Sequence, residues 1–330
     1  MSDNSKNVER DEDRKSRTGE DLIIKQTLPL SLKISLTKAR IREWYNEFGG
    51  DVYVSFSGGK DSTVLLNLVR SMYPDVVAVY VDTGLEYPEI KDFVKTIDNV
   101  IWLKPKLTFK EVIMKYGYPL ISKEQSQYIR EYRTTKSEKL KNIRWNGNGK
   151  GGGKISEKWK FLTKAPFAIG NQCCDVMKKN PSKKFEKETG LHPFIGTMAE
   201  ESTLRKQGWI KYGCNAFKKK RPTSQPMSFW KEQDVLRYIV ENNLAYASCY
   251  GEILQDENGK YYTTQCERTG CEFCLYGIQS DDCPNRLQRI KEMHPKRYDF
   301  MMKPVERGGL GYKKILDWIN NNSNLNIPYE

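Results

Sequence analysis

Hydrophobic positions along the chain alternate between short continuous runs and longer stretches with helical spacing. Short runs rich in β-branched and aromatic residues are typical of buried strands; they span residues 51–56, 76–81, 100–103 and 192–197. Apolar residues that recur every three or four positions predict helices over 37–48, 62–72, 230–243 and 312–320. Further helices are expected from 87 and from 200, and Thr37 is expected to cap the first helix. The alternation predicts an α/β fold with a mostly parallel sheet covered on both faces.

Charge and cysteine content narrow the class of protein. Lys and Arg exceed Asp and Glu by 55 − 42 = 13 in 330 residues, and such a surplus favours polyanionic partners. No run of 18 apolar residues and no apolar leader is present, so we expect no membrane partner and a cytoplasmic location. In a reducing compartment the eight cysteines are expected to be thiols or metal ligands rather than disulfides.

A glycine-rich loop lies between the first predicted strand and the following helix. Gly58 and Gly59 let the backbone approach an anion, and the amides at the helix start point towards it. Lys60 supplies a positive charge, and hydroxyl groups follow it. The segment reads Ser57-Gly58-Gly59-Lys60-Asp61-Ser62-Thr63, which does not fit the Walker spacing. The context of strand, loop and helix therefore predicts a different phosphate-binding loop.

Further motifs give this loop a specific resemblance. Residues 82–89 read Asp-Thr-Gly-Leu-Glu-Tyr-Pro-Glu, and residues 196–202 read Gly-Thr-Met-Ala-Glu-Glu-Ser, followed by Arg205. In this order, over about 35–300, the motifs resemble those of the phosphoadenylyl-sulfate (PAPS) reductase family of the ATP pyrophosphatase (PP-loop) superfamily. The resemblance implies an enzyme with an open, doubly wound parallel sheet and a helical, cysteine-rich C-terminal part. It also implies that an adenine nucleotide binds at the carboxyl ends of the strands.

The resemblance assigns roles to individual residues. It implies catalytic roles for Lys60, Asp61, Asp82 and Arg205. Nucleotide or cofactor binding is implied for Ser57, Gly58, Gly59, Lys60, Asp61, Ser62, Thr63, Asp82, Thr83, Glu201 and Arg205. Asp82 and Thr83 are expected near the ribose or a bound Mg²⁺ ion, although a turn or cap carboxylate is a competing interpretation of Asp82. Glu201 is expected to position Arg205.

Four cysteines cluster near the end of the chain, and an adjacent pair lies far upstream. A Cys-x-x-Cys turn such as Cys271–Cys274 places two thiolates on one metal. The spacing leaves a [4Fe–4S] cluster and a structural zinc ion open. The resemblance to cluster-bearing reductases implies Cys173, Cys174, Cys271 and Cys274 as ligands; the rival set is Cys266, Cys271, Cys274 and Cys283. His294 is expected to pack rather than ligate.

The domain organisation follows from these assignments. Residues 1–21 predict a disordered charged tail, because they have little apolar surface to bury. Residues 22–250 are expected to form the nucleotide-binding domain, and residues 251–330 the cysteine-rich region that binds the cluster. A basic, glycine-rich insertion at about 130–164 interrupts the first of these. It is either a solvated insertion or a nucleic-acid or substrate lid with Trp145 and Trp159 available for stacking.

Three functions remain open at this level. The reductases carry a nucleophilic cysteine in a C-terminal Glu-Cys-Gly-Leu-His tail, whereas no cysteine follows Cys283. We therefore expect ATP-dependent adenylation and sulfur transfer to DNA or RNA, with sulfur supplied by a donor such as a cysteine desulfurase. The alternatives are a reductase that converts adenylyl sulfate or PAPS to sulfite with a thiol reductant, and a non-catalytic nucleic-acid-binding module with structural zinc.

Overall fold

The computed structural model describes residues 17–149 and 151–330. Most of the predicted disordered tail, residues 1–16, lies outside these ranges, but its last residues are folded. Helix α1 (Gly19–Thr27) starts inside it because Thr18 and Asp21 form a capping box: Thr18 Oγ1 accepts from Asp21 N at 3.2 Å, and Asp21 Oδ2 accepts from Thr18 N at 2.7 Å. The prediction of disorder up to residue 21 was therefore wrong for residues 19–21.

Two compact units make up the described chain, and each combines segments that are distant in sequence. The first, here called the sheet unit, comprises residues up to Asp82, Tyr87–Leu103 and Ser182–Thr269. The second, the cysteine unit, comprises Thr83–Glu86, Lys104–Pro181 and Gly270–Glu330. The boundary near residue 250 that the sequence suggested does not coincide with the division between these units.

The sheet unit is built on six strands in the order β3-β2-β1-β5-β7-β6. The strands are β1 (Val52–Ser55), β2 (Ala78–Val81), β3 (Val100–Leu103), β5 (His192–Ile195), β6 (Asn215–Ala216) and β7 (Thr223–Ser224). All neighbours are parallel except β6 and β7. Val54 pairs with both Ala78 and Phe194, so β1 lies in the middle, between strands that follow it on either side. The predicted α/β fold with a mostly parallel sheet is confirmed.

Helices flank this sheet in the same unit, and a small hairpin follows them. The helices are α1, α2 (Leu30–Glu47), α3 (Lys60–Arg70), α4 (Pro88–Lys95), α8 (Asn180–Thr189, mostly in this unit), α9 (Thr203–Tyr212) and α10 (Glu232–Glu241). The hairpin pairs β8 (Ile253–Gln255) with β9 (Tyr261–Thr263). Val64, Leu65 and Leu68 of α3 are fully buried, as their helical spacing predicted.

Helix α2 starts seven residues before the predicted cap. Thr37 lies inside the helix and is fully buried, where its hydroxyl accepts a 2.8 Å hydrogen bond from Trp230 Nε1. The residue that was predicted to cap the helix therefore provides the hydrogen-bond acceptor for a buried indole N–H. The prediction that α2 starts at Thr37 was wrong, because this partner is 193 residues away in sequence.

The cysteine unit is largely helical around its own core. Its helices are α5 (Phe109–Tyr116), α6 (Lys123–Thr134), α7 (Glu138–Asn146), α11 (Arg286–Met293), α12 (Pro295–Met302) and α13 (Tyr312–Asn321). Two short strands, β4 (Leu120–Ile121) and β10 (Leu275–Tyr276), pair in parallel. Leu120, Leu275 and Leu316 are almost fully buried in this core. The predicted helical, cysteine-rich C-terminal part is confirmed.

The basic insertion is folded into the cysteine unit. A 3₁₀ helix (Glu157–Lys164) buries Trp159, which is 5% exposed, so the prediction that this ring is available for stacking was wrong. Trp145 stacks on Tyr132 with ring centroids 5.0 Å apart. Arg144 donates to Glu131 at 2.6 Å and to the carbonyl of Gly153 at 2.7 Å. Part of the basic charge therefore holds the insertion together.

None of the described helices is both long and apolar enough to cross a membrane.

Candidate nucleotide site and thiol cavity

The glycine-rich loop joins β1 to the start of α3, where the order of the sheet strands reverses. Ligands bind at this position in open parallel sheets. Gly58 has a φ of +74°, and an added Cβ would lie 2.7 Å from Val94 Cγ2 and 2.8 Å from Ile90 Cγ2. Both the backbone conformation and the tight packing therefore require glycine here.

Hydroxyl groups line this loop and fix its shape. Ser57 Oγ lies 3.0 Å from Ser62 Oγ, and it accepts a 3.3 Å hydrogen bond from the amide of Gly59. Ser62 and Thr63 donate to the carbonyl of Gly59 at 2.9 and 3.1 Å. The structure thus brings together the predicted loop residues at a helix N-terminus, where backbone amides and the helix dipole favour an anion.

Lys60 is buried at the first position of α3 and is 5% exposed. Its ammonium group forms an ion pair with Glu232 and donates to the carbonyl of Glu267 at 2.5 Å. The ammonium nitrogen also lies 5.5 Å from the centroid of the Tyr250 ring. The phenol of Tyr250 accepts from the amide of Lys60 at 3.3 Å, so the same side chain supports both the backbone and the charge.

Asp61, the second residue of α3, is a partly buried aspartate beside these cations. Its Oδ1 atom has no hydrogen-bond partner among the described residues. Burial raises the pKa of Asp61, although the charges of Lys60, Arg268 and Arg205 act in the opposite direction. A buried carboxylate oxygen without a partner fits a cation ligand, so Asp61 suits the Mg²⁺ that accompanies nucleotide phosphates.

Arg205 and Arg268 add two further positive charges to the sheet unit at this site. Glu201 forms an ion pair with Arg205, and its Oε1 atom lies 3.9 Å from Arg268 Nη1. Burial and the charge of Arg268 lower the pKa of Arg205. The expected pairing of Glu201 with Arg205 is present, from a 3₁₀ helix (Ala199–Glu201) that precedes α9. Two guanidinium groups held close together favour an anionic ligand.

Asp82 and Thr83 fall in different compact units. In the sheet unit, Asp82 Oδ2 accepts from Lys91 Nζ at 2.7 Å, which gives this carboxylate a partner in α4. In the cysteine unit, Thr83 Oγ1 donates to Glu86 at 2.8 Å. The expected roles of Asp82 and Thr83 in binding ribose or Mg²⁺ stay predictions.

Four thiols of the cysteine unit meet at one small cavity of about 20 Å³. Cys173 and Cys174 immediately precede a single π-helical turn (Asp175–Lys179), a distortion that often marks functional sites. Their Sγ atoms lie 3.9 Å apart. The cavity is lined by these two cysteines with Cys271, Cys274, Leu85, Phe109, Pro119, Met177 and Lys178.

The four thiols differ in how readily they ionise. The hydrogen bond from Cys173 lowers the pKa of Cys174 to about 6, and the charges of Lys123 and Lys178 support this against burial. The hydrogen bond to Cys174 and burial raise the pKa of Cys173. Burial likewise raises the pKa of Cys271, and it raises the pKa of Cys274 to about 11. Cys174 is therefore the thiol of the four that ionises most readily.

The rival ligand set is not assembled within one unit. Cys266 is buried in the sheet unit, whereas Cys283 is exposed in the cysteine unit and does not line the cavity. In residues 17–149 and 151–330, no group of three or more His, Cys, Asp or Glu side chains is arranged to hold a metal ion. Four thiols around one cavity fit a thiolate-bound group in donor chemistry, and the ligand assignment stays a prediction.

A buried ionic cluster supports the Cys-x-x-Cys turn from within. Glu272, which is 1% exposed, pairs with both His294 and Arg297. Arg297 also donates to the carbonyls of Gly84 and Glu86 at 3.2 and 3.1 Å. His294 thus has a structural partner, in keeping with its expected packing role. These contacts fix the backbone between Cys271 and Cys274.

Several site residues were not found from the sequence. Glu232, Tyr250 and Arg268 belong to no motif around the loop, and they reach it only through the fold. Lys178 was also missed, although it follows the Cys173-Cys174 pair by one helical turn. Of these residues, Arg268 lies nearest in sequence to a recognised motif, because it stands between Cys266 and the Cys271–Cys274 turn.

Comparisons with known proteins were made on both sequence and structure. Residues 51–275 match the family model described as "Phosphoadenosine phosphosulfate reductase domain". An uncharacterized protein of Methanocaldococcus jannaschii is 24% identical over 278 residues, which cover 80% of this chain and 50% of that protein. An adenosine 5′-phosphosulfate reductase of Geobacillus kaustophilus is 25% identical over 203 residues, which cover 61% and 68%.

The chain spans about half the length of the archaeal relative. Among solved structures, the phosphate complex of a PAPS reductase from Candida auris is similar, with a TM-score of 0.40 and 14% identity, over 79% of this chain and 98% of the other. The match to the family model extends from β1, across the glycine-rich loop, to the Cys-x-x-Cys turn. This chain belongs to the phosphoadenosine phosphosulfate reductase domain family.

Proposed function

We propose that this protein is an adenine-nucleotide-dependent sulfurtransferase. ATP binds on the loop 57–63, an acceptor oxygen attacks its α-phosphorus, and pyrophosphate leaves. A sulfur nucleophile then attacks the acceptor atom that carries this oxygen, and AMP leaves with the oxygen attached. The acceptor is a nucleic acid. The observation that carries this proposal is the set of three cations at the N-terminus of α3: Lys60 begins the helix, Arg205 and Arg268 share Glu201, and all three act electrostatically on Asp61.

Charge balance at the loop supports a polyphosphate ligand. The three cations are held by protein carboxylates, since Glu232 pairs with Lys60, and Glu201 lies beside both arginines. Phosphate oxygens accept from the two guanidinium groups in bidentate geometry and from the Lys60 ammonium as a point charge, so a bound triphosphate can replace these carboxylate partners. A carboxylate at Asp61 would then hold Mg²⁺ against the phosphates.

The burial of the sheet-unit cysteines argues against direct attack by one of them on the bound nucleotide and supports sulfur transfer instead. Cys249 and Cys266 of that unit are 1% and 6% exposed, and burial raises the pKa of Cys214. Among the described residues of the sheet unit, no thiol is therefore exposed as a ready nucleophile. We propose that Cys173, Cys174, Cys271 and Cys274 hold an iron–sulfur cluster, which when bound supplies electron-transfer and sulfide-binding chemistry.

Release of pyrophosphate from ATP tests the proposal directly. Anaerobically purified protein is incubated with ATP and Mg²⁺, with DNA, with RNA or with no nucleic acid, and pyrophosphate is measured. We expect release that depends on nucleic acid and is lost in Lys60→Met. Lys95→Met is the matched control, because Lys95 pairs with Asp92 on the surface, with side chains 58% and 70% exposed. The absence of pyrophosphate with every nucleic acid would contradict the proposal.

A second candidate is reduction of adenylyl sulfate or PAPS to sulfite. The similarity to an adenosine 5′-phosphosulfate reductase over 203 residues favours it. Here a thiol attacks the sulfate sulfur and displaces AMP, or adenosine 3′,5′-bisphosphate from PAPS, which leaves an S-sulfonate on the thiol. An external dithiol then reduces this S–S bond, releases sulfite and becomes a disulfide. Sulfite formed from either nucleotide with a thiol reductant, in the absence of ATP, would favour this candidate. Zinc in place of iron in the anaerobic protein would count against the cluster in both candidates.

A further inference from the structure

A positively charged tip projects from the edge of the sheet unit. Strands β6 and β7 are joined by residues 217–222, and β6 is the outermost strand of the six. The turn contains Lys218, Lys219 and Lys220, here called the basic tip. Lys218 and Lys220 are exposed, and Lys219 is half-buried.

Both ends of the basic tip are anchored to the sheet unit. Phe217 stacks on the buried Trp44 with ring centroids 5.1 Å apart. Arg221 forms a bidentate pair with Glu186, through Nε to Oε2 at 2.6 Å and Nη2 to Oε1 at 2.5 Å. The three lysines between these anchors are therefore presented by a fixed turn, which lowers the entropy lost when they bind a ligand.

An aromatic ring lies among the lysines. Tyr212, the last residue of α9, has Lys219 Nζ at 4.3 Å from its ring centroid and Lys211 Nζ at 5.1 Å. None of these lysines pairs with a carboxylate of the described chain. Two ammonium groups beside one ring, and two more on the same turn, thus lack an anionic partner within the described residues.

We propose that the basic tip, together with Lys211 and Tyr212, binds a nucleic-acid strand, with the lysines on phosphates and the ring against a base. Unpaired cations around a partly exposed aromatic ring suit a chain that alternates phosphates and flat bases. The inference rests on the proposed function for its nucleic-acid acceptor and assigns that acceptor a surface. It concerns different residues from those that hold the nucleotide.

The test compares two triple variants, each of which replaces three lysines by serine and so removes the same positive charge. Binding of fluorescent single-stranded RNA and DNA of about 20 nucleotides is measured by anisotropy, without ATP, at several salt concentrations. Lys218, Lys219 and Lys220 are replaced by Ser in one variant; Lys136, Lys139 and Lys158 of the insertion, all exposed, are replaced in the other. We expect the first variant to bind about tenfold more weakly or worse, with a salt slope about 2 units shallower, and the second to change less than threefold.

Tyr212 gives an independent measurement at constant charge. Tyr212→Leu is expected to weaken binding about fivefold or more, whereas Tyr212→Phe keeps the stacking surface and should restore it. Comparison of the affinities for RNA and for DNA shows whether the surface prefers ribose or deoxyribose. Equal losses in the two lysine triplets, a larger loss in the insertion triplet, or no binding by the wild-type protein would each overturn the inference.

Failure here is distinguishable from failure of the proposed function. If pyrophosphate release depends on nucleic acid but the basic-tip variant binds as the wild type does, the surface is wrong and the reaction stands. If the tip binds nucleic acid but no pyrophosphate forms, the reaction is wrong. Lysines also protect sheet edges from pairing, so variants that bind normally but aggregate would assign these lysines to edge protection instead.

Discussion

Lys178 Nζ lies 3.4 Å from Glu86 Oε1 and also hydrogen-bonds Cys271. The ammonium group therefore joins the turn after β2 to the wall of the thiol cavity. Partial burial disfavours the charged form of Lys178, but the interactions with Cys271 and Glu86 outweigh this and raise its pKa. Glu86, only 10% exposed, depends on this ion pair and on the hydroxyl and amide of Thr83.

Replacing Lys178 by Met is expected to lower the free energy of unfolding by about 1 kcal/mol. Glu86 then loses its cationic partner, whereas Lys178 itself is 40% exposed, which limits the effect. Urea denaturation of the metal-free protein measures the change. Lys178→Arg should retain most of the stability, and Lys95→Met, from an exposed pair, should be neutral. Equal effects of the two Met variants would contradict the assignment.

Gly58→Ala is expected to destabilise the protein by about 2 kcal/mol or more. The alanine would have to adopt a φ of +74° and place its Cβ against Val94 and Ile90. Gly59→Ala is the matched control, because the nearest atom to its added Cβ is the Tyr250 hydroxyl at 3.1 Å and its φ of −78° is ordinary. Thermal unfolding of both variants compares them; a smaller loss at Gly58 than at Gly59 would refute the packing explanation.

Asp61→Asn is expected to stabilise the protein at neutral pH while it weakens nucleotide binding with Mg²⁺. Burial raises the pKa of Asp61 in the folded chain, so the unfolded chain ionises first as pH rises. The folded state therefore loses stability between the unfolded and folded pKa values and does not regain it above them. The advantage of the asparagine variant, measured by urea denaturation across this range, should shrink as the pH falls towards the unfolded pKa of Asp, about 4. If the stability difference between the asparagine variant and the wild type instead grew as the pH fell, the pKa of Asp61 would not be raised in the folded chain.

Iron content distinguishes the two possible ligand sets. Serine at Cys173, Cys174, Cys271 or Cys274 should remove most of the iron from anaerobically purified protein, because each thiol lines the same cavity. Serine at Cys266 or Cys283 should leave it unchanged. Iron and sulfide analysis per chain measures this, with circular dichroism as a check on folding. Loss of iron on replacing Cys266 and Cys283, but not Cys173 and Cys174, would support the rival set.

Local patterns were sufficient to predict four of the six strands of the sheet, all but β6 and β7, and the position of the glycine-rich loop. The third strand, Val100–Leu103, was predicted residue for residue, and the loop that follows β1 lies at the predicted helix start. Periodicity reports burial directly, and glycine reports a backbone position that few residues can adopt. Features of this kind depend on neighbours in sequence, so a single chain reveals them.

Long-range partners decided the features that the sequence did not predict. Thr37 looked like a cap until Trp230 was found beside it, and Trp159 looked exposed within a basic, glycine-rich segment. Arg268 reaches Asp61 from 207 residues away, and no local spacing announces such a contact. Composition described the insertion as polar, whereas a few apolar side chains fixed its packing.

The pairing of β4 with β10 imposes an order on maturation. Leu120 and Leu275 are register partners although 155 positions separate them, and Leu275 directly follows Cys274. Closing so long a loop is slow and has to be completed before the two cysteine pairs share one cavity. A chain emerging from the ribosome has no thiol cavity until its last quarter has been made. Any metal bound by all four thiols would therefore be loaded only after this long-range pairing has formed.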